Sequence, residues 1–135
     1  MGIFEKYVNK DYFYFVFRVL VGLLFLEHGL QKLFGMFGGL GGNSAELFSL
    51  MGLAGTIETL GGLGIALGLF TRLMAFIPAI EMLVAYFMAH APNGPIPLLN
   101  FGELPLLYFA TFLVLMAFGA RRWSLEKVIF KREVF

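Results

Sequence analysis

Ionisable residues lie inside stretches of the sequence that are otherwise apolar, and their types could bind a small ligand or move a proton. The set is Arg18, Glu27, His28, Lys32, Glu58, Glu81, Tyr86, His90 and Glu103. Carboxylates and imidazoles exchange protons, and together with phenol or ammonium groups they can hydrogen-bond the oxygen atoms of a ring such as a quinone. A charge at the centre of a bilayer costs about 2.5–3.5 kcal/mol on insertion scales. We therefore expect these side chains to face one another inside a helix bundle.

The composition indicates that the surrounding solvent is lipid. The chain has 135 residues, of which 59% are hydrophobic and only 14% are charged, against roughly 25% charged residues in soluble domains. The mean hydropathy is +0.83. A net charge of +1 gives no reason to expect nucleic acid, and the absence of cysteine excludes thiolate chemistry and thiolate-bound iron–sulfur clusters.

Four apolar segments, 12–34, 47–70, 73–91 and 102–119, each have roughly the 17–25 residues that cross about 30 Å of hydrocarbon. They predict an all-α membrane protein, with residues 1–135 forming a single four-helix transmembrane bundle. Basic residues cluster before the first segment, between the second and third, and after the fourth. This pattern predicts that both termini are cytoplasmic and that the protein is a multi-pass protein of the inner, or plasma, membrane. The basic residues are Lys6, Lys10, Arg72, Arg121, Arg122, Lys127, Lys131 and Arg132.

The tail, 120–135, predicts a short amphipathic helix. Ser124 can cap it, and Val128, Ile129 and Phe130 are its apolar residues. We expect this helix to lie along the cytoplasmic surface of the membrane. The alternative is a docking site for a soluble or membrane redox partner, and a homo-oligomer is compatible with either arrangement.

The second segment is rich in glycine, which allows membrane helices to approach closely. Gly55, Glu58 and Gly62 share one face of a helix. The sequence therefore predicts that this helix is central and that the carboxylate of Glu58 points into a helix contact.

Depth in the membrane follows from the rise of 1.5 Å per residue, counted from the cytoplasmic helix ends. The predicted depths of Arg18 and Glu81 are roughly 9 and 12 Å, and this similarity predicts a structural ion pair between them. Glu58 comes out at roughly 18 Å. The outer residues come out between roughly 22 and 26 Å, and they are Glu27, His28, His90 and Glu103. The outer group, with Lys32 and Tyr86 near it, predicts a ligand or proton site.

A di-metal site, a haem and a quinone each require a particular set of residues. A di-metal carboxylate site needs Glu-x-x-His pairs, which the sequence lacks, so no metal is expected. A haem between His28 and His90 is permitted by their height, but haem b is the less favoured alternative. A quinone headgroup needs only donors and acceptors such as His28, Tyr86, His90 and a carboxylate in an aromatic-lined pocket, so no cofactor is assigned and quinone is the candidate ligand that these residues could bind.

Several stretches resemble the DoxX family of small four-helix membrane proteins: FRVLVGLLFLEHGLQKLFG, ETLGGLGIALGLFTRLMAF, and NFGELPLLYFATFLVLMAFG followed by RRWSLE. The resemblance implies association with quinone-linked redox modules, including a membrane subunit of thiosulfate:quinone oxidoreductase, and with resistance to quinone-like or oxidative stress. More distant relatives act as cargo receptors or assembly chaperones. It also implies that the following residues occupy recurrent motif positions: Arg18, His28, Gly29, Lys32, Glu58, Gly62, Gly68, Arg72, Gly102 and Glu103.

The sequence thus favours a prokaryotic inner-membrane accessory protein of a quinone-linked redox or oxidative-stress system. Its polar cluster would be a quinone or proton site, and no catalytic residue is assigned. The alternative is a non-catalytic membrane chaperone or structural subunit whose polar interior only specifies packing. A channel or transporter ranks third, because four short helices leave little room for a pore.

Overall fold

The computed structural model describes residues 8–134, and every regular element in that range is helical, apart from one isolated bridge between Leu40 and Asn43. The all-α prediction is therefore confirmed for the described residues, whereas Lys6 lies outside them. The longer helices are α1 (Lys10–Phe34), α2 (Leu50–Leu67), α3 (Thr71–Ala85) and α4 (Glu103–Phe118), followed by the short α5 (Leu125–Phe130). A π-helical turn, Tyr86–His90, and a 3₁₀ turn, Ala91–Asn93, continue α3, and another 3₁₀ turn, Met36–Gly38, follows α1.

Within residues 8–134, three helical stretches are long and apolar enough to cross a membrane, judged by length and composition. They are Lys10–Phe34, Leu50–Leu67 and Thr71–Asn93. The fourth apolar helix, Glu103–Phe118, has 16 residues and is about 24 Å long. Large apolar side chains such as Leu20 and Leu107 are more than half exposed on the outside of the bundle. The architecture is that of a helical membrane protein.

α2 is shorter than the apolar segment that contains it, because local capping residues decide its limits. The second segment was predicted over 47–70, but α2 begins after Ser49, whose hydroxyl accepts a hydrogen bond from the Gly52 amide at 3.0 Å. It ends at Gly68, which has a φ of 69° and forms a left-handed C-cap. A turn of two residues then reverses the chain into α3.

Glycines let α1 and α2 pack over the most extensive helix contact of the bundle. A Cβ atom at Gly22 would meet the carbonyl oxygen of Gly62, and one at Gly62 would collide with the backbone of Leu26. Gly29, seven residues after Gly22, lies in the same way against Thr59. The two helices therefore approach backbone to backbone, as glycine-mediated membrane helix pairs do.

All four long helices contribute to one core. Two bulky aromatic residues, Phe25 of α1 and Phe112 of α4, are fully buried at its centre, with ring centroids 4.8 Å apart. The complete core is Val21, Phe25, Ile65, Ala75, Ala79, Met82, Tyr108, Phe112 and Leu115. This core fixes the relative heights of the helices and so the positions of the polar side chains near it.

The tail folds against the end of the bundle where α2 turns into α3. The hydroxyl of Ser124 accepts a hydrogen bond from the amide of Lys127 at 3.4 Å and caps α5. The amide of Glu126 donates to the carbonyl of Gly68 at 3.2 Å, and Glu126 is fully buried. The first residues of α5 are thus part of the bundle, while Val128 and Ile129 are exposed.

Candidate functional site

Lys32, which is partly exposed, and Glu58, which is buried, form an ion pair where α1 meets α2. The Nζ atom of Lys32 lies 2.5 Å from each carboxylate oxygen of Glu58, and Glu58 is only 3% exposed. Gly55 makes room for the lysine, because a Cβ atom there would press on the Cβ atom of Lys32. Glu58 therefore faces the helix contact as its position on α2 predicts, and both of its oxygens are satisfied without water.

His28 lies one turn before Lys32 on the same face of α1. Its ring meets the ring of Tyr108 edge to face, with 5.8 Å between the centroids. Both rings line a cavity of about 150 Å³, the small cavity. Its walls are Phe25, His28, Lys32, Glu58, Met82, Ala85, His90, Leu104, Pro105 and Tyr108.

A second cavity of about 390 Å³, the large cavity, shares five residues with the small one: Lys32, Glu58, Met82, Ala85 and His90. The rest of its wall comes from the first turns of α2 and the last turns of α3 with the π-helical turn after it. These residues are Leu50, Met51, Ala54, Glu81, Val84, Met88 and Ala89. Because Met51 is 49% exposed and Met88 is 61% exposed, the large cavity opens at the apolar outer surface of the bundle.

Glu81 reaches the height of Glu58 because the two residues are placed symmetrically about the α2–α3 turn. Glu58 lies ten residues before Gly68, and Glu81 lies ten residues after Thr71, so each is about 15 Å from the turn. The Oε2 atom of Glu81 is buried and makes no hydrogen bond within residues 8–134. Glu81 therefore lines the large cavity with a carboxyl group of which one oxygen has no protein donor among the described residues.

The connection between α3 and α4 holds His90. The Nδ1 atom of His90 lies 3.0 Å from the carbonyl oxygen of Asn100. Asn100 is itself buried, and its side chain donates to the carbonyl of Gly94 at 2.7 Å and accepts from the amide of Gly102 at 2.8 Å. A carbonyl can only accept, so Nδ1 carries the hydrogen and the neutral ring keeps Nε2 as an acceptor.

An apolar groove of about 140 Å³ continues along the contact of α2 and α3 toward the Gly68 turn. Gly61 and Pro78 form its floor, since a Cβ atom at Gly61 would lie 2.8 Å from Cγ of Pro78. The full lining is Thr56, Ile57, Leu60, Gly61, Met74, Ile77 and Pro78. The large cavity and this groove thus both lie along the contact of α2 and α3, which is called the seam below. The large cavity has polar groups in its wall, and the groove has almost none.

Comparison with known proteins adds the family. A family profile described as DoxX matches residues 13–91. The chain belongs to the DoxX family. An "Uncharacterized protein" of Haemophilus influenzae is 39% identical over 98% of this chain and 100% of its own length. No solved structure matches the chain significantly.

Two further relatives of this DoxX protein have more informative names. "Uncharacterized membrane protein Rv3486" of Mycobacterium tuberculosis is 31% identical over 85% of this chain and 80% of its own length. "Putative oxidoreductase CatD" of Bacillus subtilis is 28% identical over 84% of each chain. The family, the apolar helices and the relative named as a membrane protein together identify this DoxX chain as a membrane protein.

The DoxX match contains most of the polar groups of both cavities, among them His28, Lys32, Glu58, Glu81 and His90. The structure brings these five together. Four of them were predicted as site residues, whereas Glu81 was assigned to a different interaction.

Three other predicted site residues line neither cavity. Glu27 is exposed, because it is rotated by about 100° from His28 on α1. Glu103 is exposed at the first residue of α4. The ring of Tyr86 packs on Gly102, where an added Cβ atom would lie 2.6 Å from it.

The predicted ion pair between Arg18 and Glu81 is wrong. Arg18 donates to the carbonyls of Ile65 at 2.6 Å and Ala66 at 2.9 Å, and no ion pair joins it to Glu81 in the part of the chain that the structure describes. Arg18 is level with Gly68, because a Cβ atom on that glycine would lie 2.6 Å from its guanidinium. Glu81 is about 15 Å farther along the bundle.

Arg18 instead caps α2 and anchors the tail. It is fully buried, and besides the two carbonyls at the end of α2 it donates to the carbonyl of Trp123 at 2.9 Å. Helix ends leave carbonyls without intrahelical partners, and a guanidinium offers several donors in one plane. One side chain from α1 therefore joins the end of α2 to the start of the tail.

Tyr108 is the cavity residue that the sequence analysis missed. It is 8% exposed and packs against His28 and the ring of Phe25, whose centroid is 5.1 Å away. A sequence signal did exist, because Tyr108, Phe112 and Leu115 follow the spacing i, i+4, i+7 of a buried helix face.

The walls of the two cavities suit a flat, mostly apolar ring that carries oxygen atoms. Aromatic and aliphatic side chains form most of each wall, and the polar groups converge on one part of it. Within residues 8–134, no group of three or more His, Asp or Glu residues is arranged to hold a metal ion.

Proposed function

We propose that the protein is an inner-membrane accessory protein of a quinone-linked redox or quinone-stress system, and that it binds the quinone ring in the large cavity. The observation that carries the proposal is the Lys32–Glu58 ion pair beside Glu81 and His90 in an otherwise apolar cavity of about 390 Å³. Small-molecule sites in proteins have volumes of about 300–1,000 Å³ and combine apolar walls with a few convergent polar groups.

The polar and apolar groups along the seam of α2 and α3 suit a quinone. Its oxygens would meet the polar groups at Lys32 and His90, and its ring would lie against apolar atoms such as those of Met82 and Ala85. An isoprenoid tail would leave through the exposed rim at Met88 or follow the apolar groove. The ligand would enter from lipid, where such quinones dissolve.

The name of the Bacillus subtilis relative, an oxidoreductase, supports the association with redox chemistry. The cavities carry no cysteine and no cluster of metal ligands within the described residues. Electron transfer would then use the bound ring and a partner protein, so we assign an accessory role and no catalytic residue.

Equilibrium binding of a short-chain menaquinone or ubiquinone analogue to the purified protein in detergent tests the proposal. A double variant, His28→Ala with Glu58→Gln, removes one polar group from the small cavity and the charge from the pair between the cavities. We expect at least tenfold weaker binding than in wild type. The variant Glu27→Gln is the matched control, because Glu27 is exposed on the same helix. Unchanged binding in the double variant rejects the site.

A chaperone or structural role is the second candidate, and the apolar surface of α5 favours it. Val128, Ile129 and Phe130 are 68%, 54% and 44% exposed, so this face could contact a redox partner or another membrane protein. The polar interior would then serve only packing. Removal of residues 123–135 should abolish copurification of any such partner, and retention of every partner after the deletion contradicts this role.

We also propose that all four long helices span the membrane with both termini in the cytoplasm. Asp11 pairs with Arg121 at 3.4 Å and Arg122 at 3.2 Å, which places the start of α1 and the basic residues after α4 on one side of the bundle. The chain has no cysteine, so single cysteines report on topology without background. Membrane-impermeant maleimide should label Gly41→Cys from the periplasm, and should label Lys131→Cys only after the membrane is opened. Labelling of both from one side overturns this topology.

A further inference from the structure

The two ends of the bundle differ in charge. Around the start of α1, the α2–α3 turn and the tail, and apart from the buried Arg18, the described residues include seven basic and three acidic side chains, which leaves a net charge of +4. The basic residues are Lys10, Arg72, Arg121, Arg122, Lys127, Lys131 and Arg132, and the acidic ones are Asp11, Glu126 and Glu133. Toward the opposite end the exposed ionisable side chains are Glu27, Glu46 and Glu103. The tail end of the bundle therefore attracts anions.

A groove of about 280 Å³, the aromatic groove, lies beside this charge. Its walls are Tyr12 and Phe15 of α1 and Trp123 of the tail, and the rings of Phe15 and Trp123 meet edge to face with 5.5 Å between their centroids. Tyr12 and Trp123 are more than half exposed, and Phe13 and Val16 continue the exposed apolar surface along α1. The aromatic groove is thus open to the same surroundings as the apolar outer side of α1.

Hydrogen bonds hold the backbone in an unfavourable conformation where Trp123 reaches the surface. Arg121 and Trp123 have φ angles of 53° and 52°, in the left-handed region that residues other than glycine rarely adopt. The carbonyl of Trp123 accepts a hydrogen bond from the buried Arg18 at 2.9 Å, and the amide of Arg121 donates to Glu133 at 2.8 Å. The fold therefore fixes this segment with the tryptophan ring presented outward.

Asp11 ties two arginines to the rim of the aromatic groove. Its carboxylate oxygens lie 3.2 Å from Nε of Arg122 and 3.4 Å from Nη2 of Arg121. Asp11 and Arg122 directly precede Tyr12 and Trp123, which are walls of the groove. One carboxylate cannot neutralise two guanidinium groups, so a positive charge remains at the rim. The side chain of Arg122 is 68% exposed, and a guanidinium suits the planar recognition of a phosphate.

We infer that the aromatic groove and Arg122 form a binding site for an anionic phospholipid such as phosphatidylglycerol. The lipid phosphate would meet the guanidinium, and the first part of an acyl chain would lie against the rings of Phe15 and Trp123. An acidic protein or a nucleic acid would use the positive charge and leave the apolar walls uncovered. A zwitterionic phospholipid brings a cation with its phosphate and is attracted less. This inference does not depend on the quinone site.

The positions of these residue types agree with the physics of a membrane surface. Tryptophan and tyrosine are enriched at the level of the lipid headgroups. Each basic residue near an anionic membrane surface contributes about fivefold to binding. A site that joins aromatic rings to an arginine therefore distinguishes phospholipids by the charge of their headgroups.

Trp123 is the only tryptophan of the chain, so its fluorescence reports on the site without background. The purified full-length protein is reconstituted in dioleoylphosphatidylcholine with rising fractions of brominated phosphatidylglycerol or brominated phosphatidylcholine, whose bromine atoms quench a tryptophan that they contact. In wild type, phosphatidylglycerol should bind at Trp123 about fivefold more tightly than phosphatidylcholine, or better.

Two variants with the same loss of charge separate a discrete site from general attraction. Arg122→Gln should lower the ratio of the two affinities to about twofold or less. Lys131→Gln is the matched control and should leave the ratio near the wild-type value, because Lys131 follows α5 and does not line the groove. Both side chains are exposed, so neither change removes a packed group. An equal fall of the ratio in both variants contradicts a discrete site.

The remaining outcomes also decide the inference. Equal quenching by the two brominated lipids in wild type overturns the preference for an anionic lipid. Weak quenching by both overturns the contact with lipid and leaves this surface to a protein partner. Free glycerol phosphate at millimolar concentration should not change the ratio. Competition by it would show that the site recognises phosphate without the lipid, and would contradict the role of the aromatic walls.

Discussion

Replacement of Lys32 by methionine removes one half of the ion pair with Glu58 and leaves the other half in place. Glu58 is 3% exposed and has both carboxylate oxygens 2.5 Å from the lysine nitrogen. In the variant its carboxylate would have to remain ionised without a counter-charge or take up a proton. Lys32→Met should therefore destabilise the bundle more than the loss of a surface charge would.

The magnitude follows from the geometry. Two unit charges 2.5 Å apart attract by about 6–7 kcal/mol at an effective dielectric constant of about 20, and part of this attraction offsets the desolvation of the two groups. Removal of one partner from a buried pair costs about 3–5 kcal/mol. We expect the free energy of unfolding to fall by about 3 kcal/mol or more.

The double variant Lys32→Met with Glu58→Leu separates packing from binding. Replacement of a whole buried pair by apolar residues is often neutral or stabilising, so the double variant should recover most of the stability lost in Lys32→Met. It should not recover quinone binding, because the polar groups of Lys32 and Glu58 are gone from the cavity wall. Reversible unfolding in mixed micelles measures the stability. Equilibrium binding of a short-chain quinone analogue to the purified protein measures the affinity.

Glu27→Leu is the control for these measurements, since it removes an exposed carboxylate from the same helix. It should change the free energy of unfolding by less than about 0.5 kcal/mol. A fall of less than about 1 kcal/mol in the free energy of unfolding of Lys32→Met would refute the reasoning, because a buried carboxylate that loses a partner at 2.5 Å should destabilise the protein by more than that. Full quinone binding in the stable double variant would assign the pair to packing alone.

Three further changes have defined outcomes. Gly62→Ala should destabilise by about 1–3 kcal/mol, because the added methyl group meets the backbone of Leu26; unfolding in micelles measures this, and an unchanged midpoint contradicts the close contact. Arg18→Gln should speed tryptic cleavage after Lys127, since the tail loses its hydrogen bond to the guanidinium; equal cleavage rates would show that the arginine does not hold the tail. Asn100→Ala removes the side-chain amide that bonds Gly94 and Gly102, and so loosens the loop whose backbone carbonyl holds the ring of His90; quinone binding should weaken several-fold, and undiminished affinity argues against that histidine as a ligand contact.

Much of the fold could be predicted from the sequence, because hydrophobic length and glycine spacing are local signals. The face shared by Gly55, Glu58 and Gly62 does lie in the α1–α2 contact, and Glu58 is buried there. The helix ends were less predictable. Ser49 and Gly68 cap α2 inside a longer apolar segment, which hydropathy alone does not reveal.

The heights of the polar residues along the bundle were predicted least well from the sequence. Depths counted from predicted helix ends placed Arg18 beside Glu81, whereas the turn after α2 puts Arg18 at the turn and Glu81 opposite Glu58. A count outward from the turn at Gly68 would have paired the two glutamates, because each is ten residues from it. The contact of Lys32 with Glu58 could not be predicted in this way. It depends on how α1 crosses α2, and counting residues along a single helix does not give that crossing.

The central claim is that a quinone ring occupies the cavity at Lys32 and Glu58, and photo-crosslinking tests it most directly. A light-activated azidoquinone is bound to the purified protein, and the labelled residues are located by mass spectrometry of its peptides. We predict label concentrated in the ranges 50–58 and 81–90 and displaced by excess unlabelled quinone. Label spread evenly over the outer surface of the bundle, with no displacement by the competitor, would contradict the site.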